Sequence, residues 1–345
     1  MSDPRQHEKY ERYEGGSQEA ERLLFAELAR RIVRVQKINQ DKGGLPGPER
    51  TFHAKASLGV DNARLRFHPD LPPGLREGYA RPGAEYRALV RLSHASGIPR
   101  PDAVPDLRGI AVRVLVSDEE RHDLLMTNAP VSHAANAREF VDFAEVMAGA
   151  GSTAAIAWRL LVRLPRVVGW PTAARMRRTL NQTLARKVAS LAEERYWSRA
   201  PILWGDAGPV RYQLRPGPSG PPAARPDRAT RADPGYLHAE LARRLRAQDV
   251  VFELCLQRFA DEGRTPVEDA SVEWPETVSP PVAVALLTIP RQDIDSTEAL
   301  ATARRVETLS FTPWRTTETF RPLGNLNRSR EAVYGASSAR RLGQG

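Results

Sequence analysis

The densest chemistry in the sequence lies at its C-terminal end, FTPWRTTETFRPLGNLNRSREAVYGASSARRLGQG. If Asn327 caps a helix that begins at Arg328, then Arg330, Tyr334, Ser337 and Arg341 fall within about 60° of one another around the axis, at roughly 100° per residue. A phenol is then flanked by two guanidiniums on one stripe. A free phenol titrates at about 10, and a hydrogen-bonded cation one turn away favours its anionic form, which would suit an oxidised metal. The same spacing also fits an Arg–Tyr stack on an exposed helix, and Gly335, one residue past the tyrosine, costs such a helix about 1 kcal/mol against Ala.

Groups of this kind need a scaffold, and the chain alternates between two hydrophobic periods. A polar leader, MSDPRQHEKYERYEGGSQEA, has no apolar run that could act as a signal peptide and is expected to fray. From Glu19 to Gln40, Leu23, Leu24, Leu28, Ile32, Val33 and Val35 recur at helical spacing up to the loop DKGGLPGP. Four β-like runs follow, Thr51–Phe67, Tyr86–Ser93, Gly109–Val116 and Asp123–Thr127, separated by Pro, Gly and Asp clusters. The helical period returns from Ala137 to Arg195, broken by Pro165 and Pro171. Acidic residues vanish there between Glu145 and Glu193, while Arg159, Arg163, Arg166, Arg175, Arg177, Arg178, Arg186 and Lys187 accumulate. Helices packing one apolar stripe on the body account for this insert, although basic amphipathic helices also suit anionic membrane surfaces. Arg215 to Pro234 reads as a long exposed loop. A second β-like set comprises Pro209–Leu214, Val250–Gln257, Ala270–Trp274 and Val282–Ile289. Four plus four strands around a helical insert fit a closed antiparallel barrel, which leaves no strand edge unpaired.

Composition narrows the function classes. With 41% hydrophobic and 27% charged residues, the 345-residue chain is an ordinary globular sequence and far from disordered composition. The net charge of +9 comes from 51 basic residues, 46 of them Arg, against 42 acidic ones. No basic stretch is interleaved with stacking aromatics, which argues against nucleic acid as a partner. The lone cysteine, Cys255, excludes an intrachain disulfide and a multi-thiolate metal site and fits a core thiol in a reducing compartment, so a cytoplasmic location is expected. No run approaches the roughly eighteen apolar residues of a membrane-spanning helix.

Five motifs taken in order resemble the haem-dependent catalase family. RSREAVY is similar to its proximal R-x-x-x-Y motif, which implies Tyr334 as the axial iron ligand and Arg330 as the support of its phenolate. ARRLG then implies a propionate-binding role for Arg341. ERTFHAKA resembles the distal E-R-x-x-H-A-K-G motif, which implies His53 as the catalytic histidine and Arg50 as a second propionate partner. RLSHASG resembles the R-F-S segment, implying Arg91 as a third propionate partner and Ser93 as the hydroxyl that orients the histidine. PDLRGIAVRVL with HDLLMTNAPVSH resembles the family's D-x-R-G-x-A-x-K and D-L-x-x-N-N-x-P runs. From Pro130 the register implies Phe140 as the aromatic on the haem face, with Phe143 one turn later.

The resemblance implies an α+β fold: a catalase-like closed antiparallel eight-stranded β-barrel with a helical insert (137–195) and a C-terminal proximal helix. A leader and helix (1–48) precede the haem domain (49–345), which includes the Pro-rich loop (215–234). The implied cofactor is haem b with its iron. The implied chemistry is peroxide cleavage to a ferryl state, with a positioned His moving the proton. The family's distal Asn falls on Thr127, with Asn128 next to it, so either side chain could serve. Residue 56 is Ala where the motif has Gly, and Phe52 precedes the histidine where large catalases carry Val and catalase-related allene oxide synthases carry Thr. The chain ends just after the proximal helix, as in the short catalase-related haem proteins, which gives no reason to expect bound NADPH. The expected function is therefore a catalase-related peroxidase that uses hydrogen peroxide or an organic hydroperoxide and an unidentified organic electron donor, with weak catalase activity. No stable membrane insertion is expected, and a homo-oligomer is compatible with the sequence. The alternatives are a fatty-acid hydroperoxide-transforming enzyme, with an acyl channel near the basic helices of Ala154–Leu191, and a haem-binding protein without turnover.

Overall fold

Helix α1, Gln18–Gly43, starts where the Ser17 hydroxyl accepts a hydrogen bond from the Ala20 N–H and stops at Gly44, whose φ of 61° needs no Cβ to be accommodated. The computed structural model describes residues 6–217 and 222–343; the first five residues of the leader, residues 218–221 of the Pro-rich loop and the last two residues lie outside them. The buried stripe of α1 is Phe25, Leu28, Ala29, Ile32 and Val35, a helical period shifted from the expected one: Leu23 is exposed and Phe25 takes its place. The described part of the leader is also not frayed. Residues 6–17 are held down by the buried guanidinium of Arg328, which meets Glu11 at 3.2 Å, Glu21 at 2.7 Å and Glu268 at 2.9 Å and donates to the Arg12 carbonyl at 3.0 Å. A polar segment docked through ion pairs leaves no apolar trace in the sequence.

The β-rich part closes into a ring. Strands β1 (Ala56–Phe67), β2 (Glu85–His94), β3 (Arg108–Leu115) and β4 (Arg121–Thr127) form an antiparallel meander. After the insert come β5 (Tyr196–Ser198), β6 (Ile202–Trp204), β7 (Pro209–Pro216), β8 (Val250–Arg258) and β9 (Val282–Ile289). The ring runs β1–β2–β3–β4–β5–β7–β8–β9 and returns to β1 through pairs such as Leu65 with Leu287, giving the expected eight-stranded antiparallel barrel. β6 and β10 (Phe320–Pro322) extend it beside β7. One expected strand is wrong: Ala270–Trp274 is loop, and Trp274 is buried there with its indole donating to the Pro266 carbonyl. Its place in the ring is taken by β5, whose three residues are too few to show a period of two.

Helices cover this barrel on one side. The insert consists of α2 (Ala137–Met147), α3 (Thr153–Trp158), a π turn over Arg159–Arg163, α4 (Leu164–Val168) and α5 (Trp170–Leu184). Pro165 and Pro171 sit in the first turns of α4 and α5, where a missing N–H costs little. The short α6 (Arg228–Ala232) leads to α7 (Tyr236–Ala247), whose Tyr236, Leu237, Leu241 and Leu245 join the barrel core. α8 (Thr297–Thr308) lies on β1, and α9 (Asn325–Arg341) packs against α1 and α2. α9 starts three residues before the expected Arg328, with Gly324 at φ 82° before it; Asn327 is inside the helix, its amide donating to the Pro201 carbonyl. The helix continues through Gly335.

Candidate active site

Side chains alternate along a strand, and on β2–β4 this divides two environments. Val90, Leu92, Val112 and Leu124 point into the barrel core. Arg91, Ser93, Gly109, Ala111, Leu125 and Thr127 line a cavity of about 530 Å³ on the other face, closed by α2, α9, Ile32 of α1 and the Ser310–Arg315 loop. Its size is that of a small-molecule or cofactor site. The loop is braced from the barrel: Asp123 pairs with Arg113 at 2.7 Å and Arg315 at 2.8 Å and accepts from the Thr312 N–H at 3.0 Å.

His53 lies on the barrel side and is tightly defined. Its backbone has φ 61°, a left-handed conformation that costs a non-glycine residue of order 1 kcal/mol and persists only when neighbours impose it. Those neighbours are the Ala95 carbonyl, which accepts from the His53 N–H at 3.0 Å, and the Arg91 guanidinium, which donates to the His53 carbonyl at 2.7 Å. Nδ1 lies 3.0 Å from the Ser93 hydroxyl, leaving Nε2 as the ring nitrogen available to the cavity. The imidazole rests on Gly109, where a Cβ would come within 2.4 Å of the ring. Burial, followed by the nearby Arg91, Arg199, Arg50 and Arg330 cations, pushes its pKa down to about 3, so the ring is neutral at pH 7.

Facing it across the cavity, α9 presents Tyr334, with the Arg330 guanidinium 5.8 Å from the centre of its ring. Arg330 donates to the Asn327 side chain at 2.9 Å, and the phenol oxygen has no hydrogen-bond partner among the described residues. At the rim, three guanidiniums converge on the end of α8. Arg91 meets the Glu307 carboxylate at 2.5 Å, while Arg50 and Arg341 donate to the Glu307 and Leu309 carbonyls at 2.6–3.1 Å. With Glu307 as the one carboxylate in direct contact among the described residues and Glu49 acting on Arg341 from further off, the cluster keeps an excess of positive charge. Burial and then Arg91 push Arg50 down to about 9, and its buried Nε has no hydrogen-bond partner.

Of the ten residues singled out in the sequence, nine line the cavity: His53, Ser93, Thr127, Arg50, Arg91, Phe140, Arg330, Tyr334 and Arg341. Phe140 stands edge-on to Phe52, with centroids 5.3 Å apart. Asn128 is the exception. Its side chain accepts from the Arg108 N–H at 2.7 Å and donates to Glu194 at 2.8 Å, away from the cavity, whereas Thr127 lines the cavity and its buried hydroxyl has no hydrogen-bond partner. Phe143 is also turned away, 4.2 Å from the ring of His133. No described residue of 154–191 lines the cavity, because the insert helices pack behind α2; an acyl channel through them is absent from this cavity. Glu307 at the rim and Arg199 in the lining are charged residues that were not foreseen. Glu307 lies in no motif. Arg199 is a buried cation that donates to the Val131 carbonyl, and its pKa is lowered to about 9 by burial and then by Arg330 and Arg211.

Among the described residues no three His, Cys, Asp or Glu side chains form a metal cluster. An iron here would have to bring its own equatorial ligands. A haem would fit these residues: the excess positive charge at the rim suits its propionates, the open phenol oxygen could bind its iron, and Phe140 could pack on the macrocycle.

No family model matches the chain. A catalase-related peroxidase from Mycolicibacterium paratuberculosis (strain ATCC BAA-968 / K-10) is 30% identical over 323 residues, covering 90% of this chain and 94% of that protein. A bacterial catalase superposes with a TM-score of 0.64 at 18% identity, over 86% of this chain and 58% of its own. For a fungal catalase the values are 0.63, 17%, 86% and 59%. This chain therefore spans about three fifths of the length of the solved catalases whose fold it shares. With that identity running along nearly the whole chain, on a barrel whose wall and facing helix carry an imidazole opposite a phenol, the chain belongs to the catalase-like family of the catalase-related peroxidases.

Proposed function

We propose that the protein is a cytoplasmic, haem b-dependent peroxidase that reduces peroxides at the expense of an organic donor and has weak catalase activity. The observation that carries this reading is a neutral imidazole pinned on the barrel wall, across a cavity from a phenol with an open oxygen, with a rim that carries surplus positive charge. Tyr334 would hold the iron through its phenol oxygen, with the Arg330 guanidinium beside its ring. Arg50, Arg91 and Arg341 would hold the propionates, and Phe140 would pack on the macrocycle. The haem, when bound, supplies the redox equivalents for breaking the O–O bond.

His53 does the proton work. Nε2 takes the proton from one peroxide oxygen and returns it to the other as that oxygen departs, a contribution of roughly 10²–10⁴ in rate. Ser93 fixes the ring by occupying Nδ1. The burial and cations that keep His53 neutral keep it competent as a base well into mildly acidic pH. Thr127 supplies the distal polar group. Its hydroxyl reaches less far than the carboxamide of the family motif, so a second hydrogen peroxide is held less well and peroxidase turnover outweighs dismutation.

The test is His53→Ala in the haem-loaded protein, with hydrogen peroxide and a dye donor. The expected result is a loss of about 10²–10⁴-fold in dye oxidation with the Soret spectrum retained. An unchanged rate would make the chain a haem protein without peroxide turnover. Wild-type protein that consumes a lipid hydroperoxide's diene absorbance but oxidises no dye would make it a hydroperoxide-transforming enzyme instead.

A further inference from the structure

The insert presents a surface that the peroxidase chemistry does not use. Its inward side is ordinary core: Leu164, Ala173 and Met176 are buried and pack with Val146, Phe140 and Phe143 of α2. Its outward side is not an ordinary solvent face. Of the nine exposed large apolar side chains among the described residues, four fall between positions 158 and 170: Trp158 at 57%, Leu161 at 49%, Val167 at 47% and Trp170 at 70% exposure. Scattered single exposures are normal, but such a concentration marks an interaction site. No acidic residue occurs between Glu145 and Glu193. Arg175 and Arg186 are paired, to Glu139 and Glu194. Among the described residues, no carboxylate bridges Arg163, Arg166 or Arg178, which are all exposed.

We propose that this face, Trp158 to Arg178, docks the protein reversibly on an anionic lipid surface. Indole and aliphatic side chains settle at the depth of the headgroups, and unpaired guanidiniums beside them meet lipid phosphates. A second copy of the chain is a poor occupant, because this cationic face repels itself. A purely acidic partner would match the arginines and leave the two indoles in water. No helix in the described residues is long and apolar enough to cross a membrane, so the docking is peripheral. The insert packs directly on α2, whose Phe140 forms a cavity wall, which places the lipid surface one helical layer from the site.

The experiment is co-sedimentation of the full chain with phosphatidylglycerol–phosphatidylcholine vesicles and with pure phosphatidylcholine vesicles, at low and high salt. The proposal expects binding to the anionic vesicles only, weakened by salt. Arg163→Gln with Arg166→Gln should weaken it by about fivefold for each Arg removed. Trp158→Ser with Trp170→Ser should weaken it and abolish a blue shift of the tryptophan emission seen on binding. Removing charge elsewhere, Arg64→Gln with Arg264→Gln, should leave it unchanged. The proposal is overturned if no anionic vesicles are bound, if the distant pair weakens binding as much as the insert pair, or if the indole pair has no effect while polyanions such as heparin bind with the same Arg dependence. It is also overturned if sedimentation equilibrium shows that the two Trp substitutions dissociate an oligomer, which would make the face a protein interface. None of these readouts depends on haem or on turnover.

Discussion

On the barrel side of the cavity, His53 is held by a strained backbone, by the Ser93 hydroxyl 3.0 Å from Nδ1, and by Gly109 against the ring. On the α9 side, Tyr334 has an open oxygen, and at the rim Arg341 of α9 meets Arg50 and Arg91 of the barrel side in a cluster that carries more positive charge than Glu307 balances. The difference assigns different tasks to the two walls. A hydrogen-bonded barrel can impose an unfavourable φ and a close contact because the strands on either side cannot shift independently. A single helix lying on α1 and α2 leaves the Tyr334 oxygen without a partner of its own. In the proposed reading, the barrel organises proton handling, and the haem itself would complete the partners of Tyr334 and of the rim arginines.

This contrast predicts a hierarchy of effects. Tyr334→Phe acts on the helix wall alone: the phenolate-ligated high-spin ferric spectrum should vanish while circular dichroism stays unchanged, and a wild-type-like Soret band in this variant would sink the assignment. Gly109→Ala acts on the other wall. Its Cβ must displace the imidazole, so peroxidase activity should fall by about 10²–10⁴-fold with haem uptake intact; full activity would mean that His53 does not need this seat.

Acid should reach the buried imidazoles next. Burial pushes His53, His122 and His133 down to about 3 from an ordinary 6.5. Below 6.5 the unfolded chain takes up protons that the fold refuses. Their contribution is therefore fully present above about pH 6.5 and is lost as pH falls toward about 3, by about 1.4 kcal/mol per pH unit for each imidazole. Urea midpoints measured across that window check the slope, and midpoints that rise on acidification would contradict it. The smallest change is Ser93→Ala, which removes one hydrogen bond from a ring still held by its backbone. It should cost about tenfold in kcat or less, and a loss as large as that of His53→Ala would mean that the hydroxyl does more than orient the ring.

Legibility in the sequence followed the length and periodicity of each signal. β1 to β4 show alternation over seven to twelve residues, and their placement was readable to within a few positions except at the start of β1. β5, with three residues, was not, and the buried Trp274 segment imitated a strand through its apolar content. The polar leader concealed its docking because the cation that pairs with Glu11 and Glu21, Arg328, lies more than three hundred positions away. Arg199 and Glu307 likewise have no local pattern; each matters only through neighbours brought in by folding.

Local order was enough to single out residues that line the cavity: an imidazole three residues before β1, and a phenol four residues after a guanidinium on a helix. Tertiary structure alone decided that Thr127 and not Asn128 faces the cavity, since strand alternation and the Glu194 and Arg108 partners turn the amide away. It alone decided that the three rim arginines converge on the end of α8 and that the insert, with an apolar inner side, leaves Trp158 and Trp170 exposed on its outer side. Periodicity records which face of an element differs from the other. Which face meets core, cavity or solvent depends on what packs against it, and those neighbours come from distant parts of the chain.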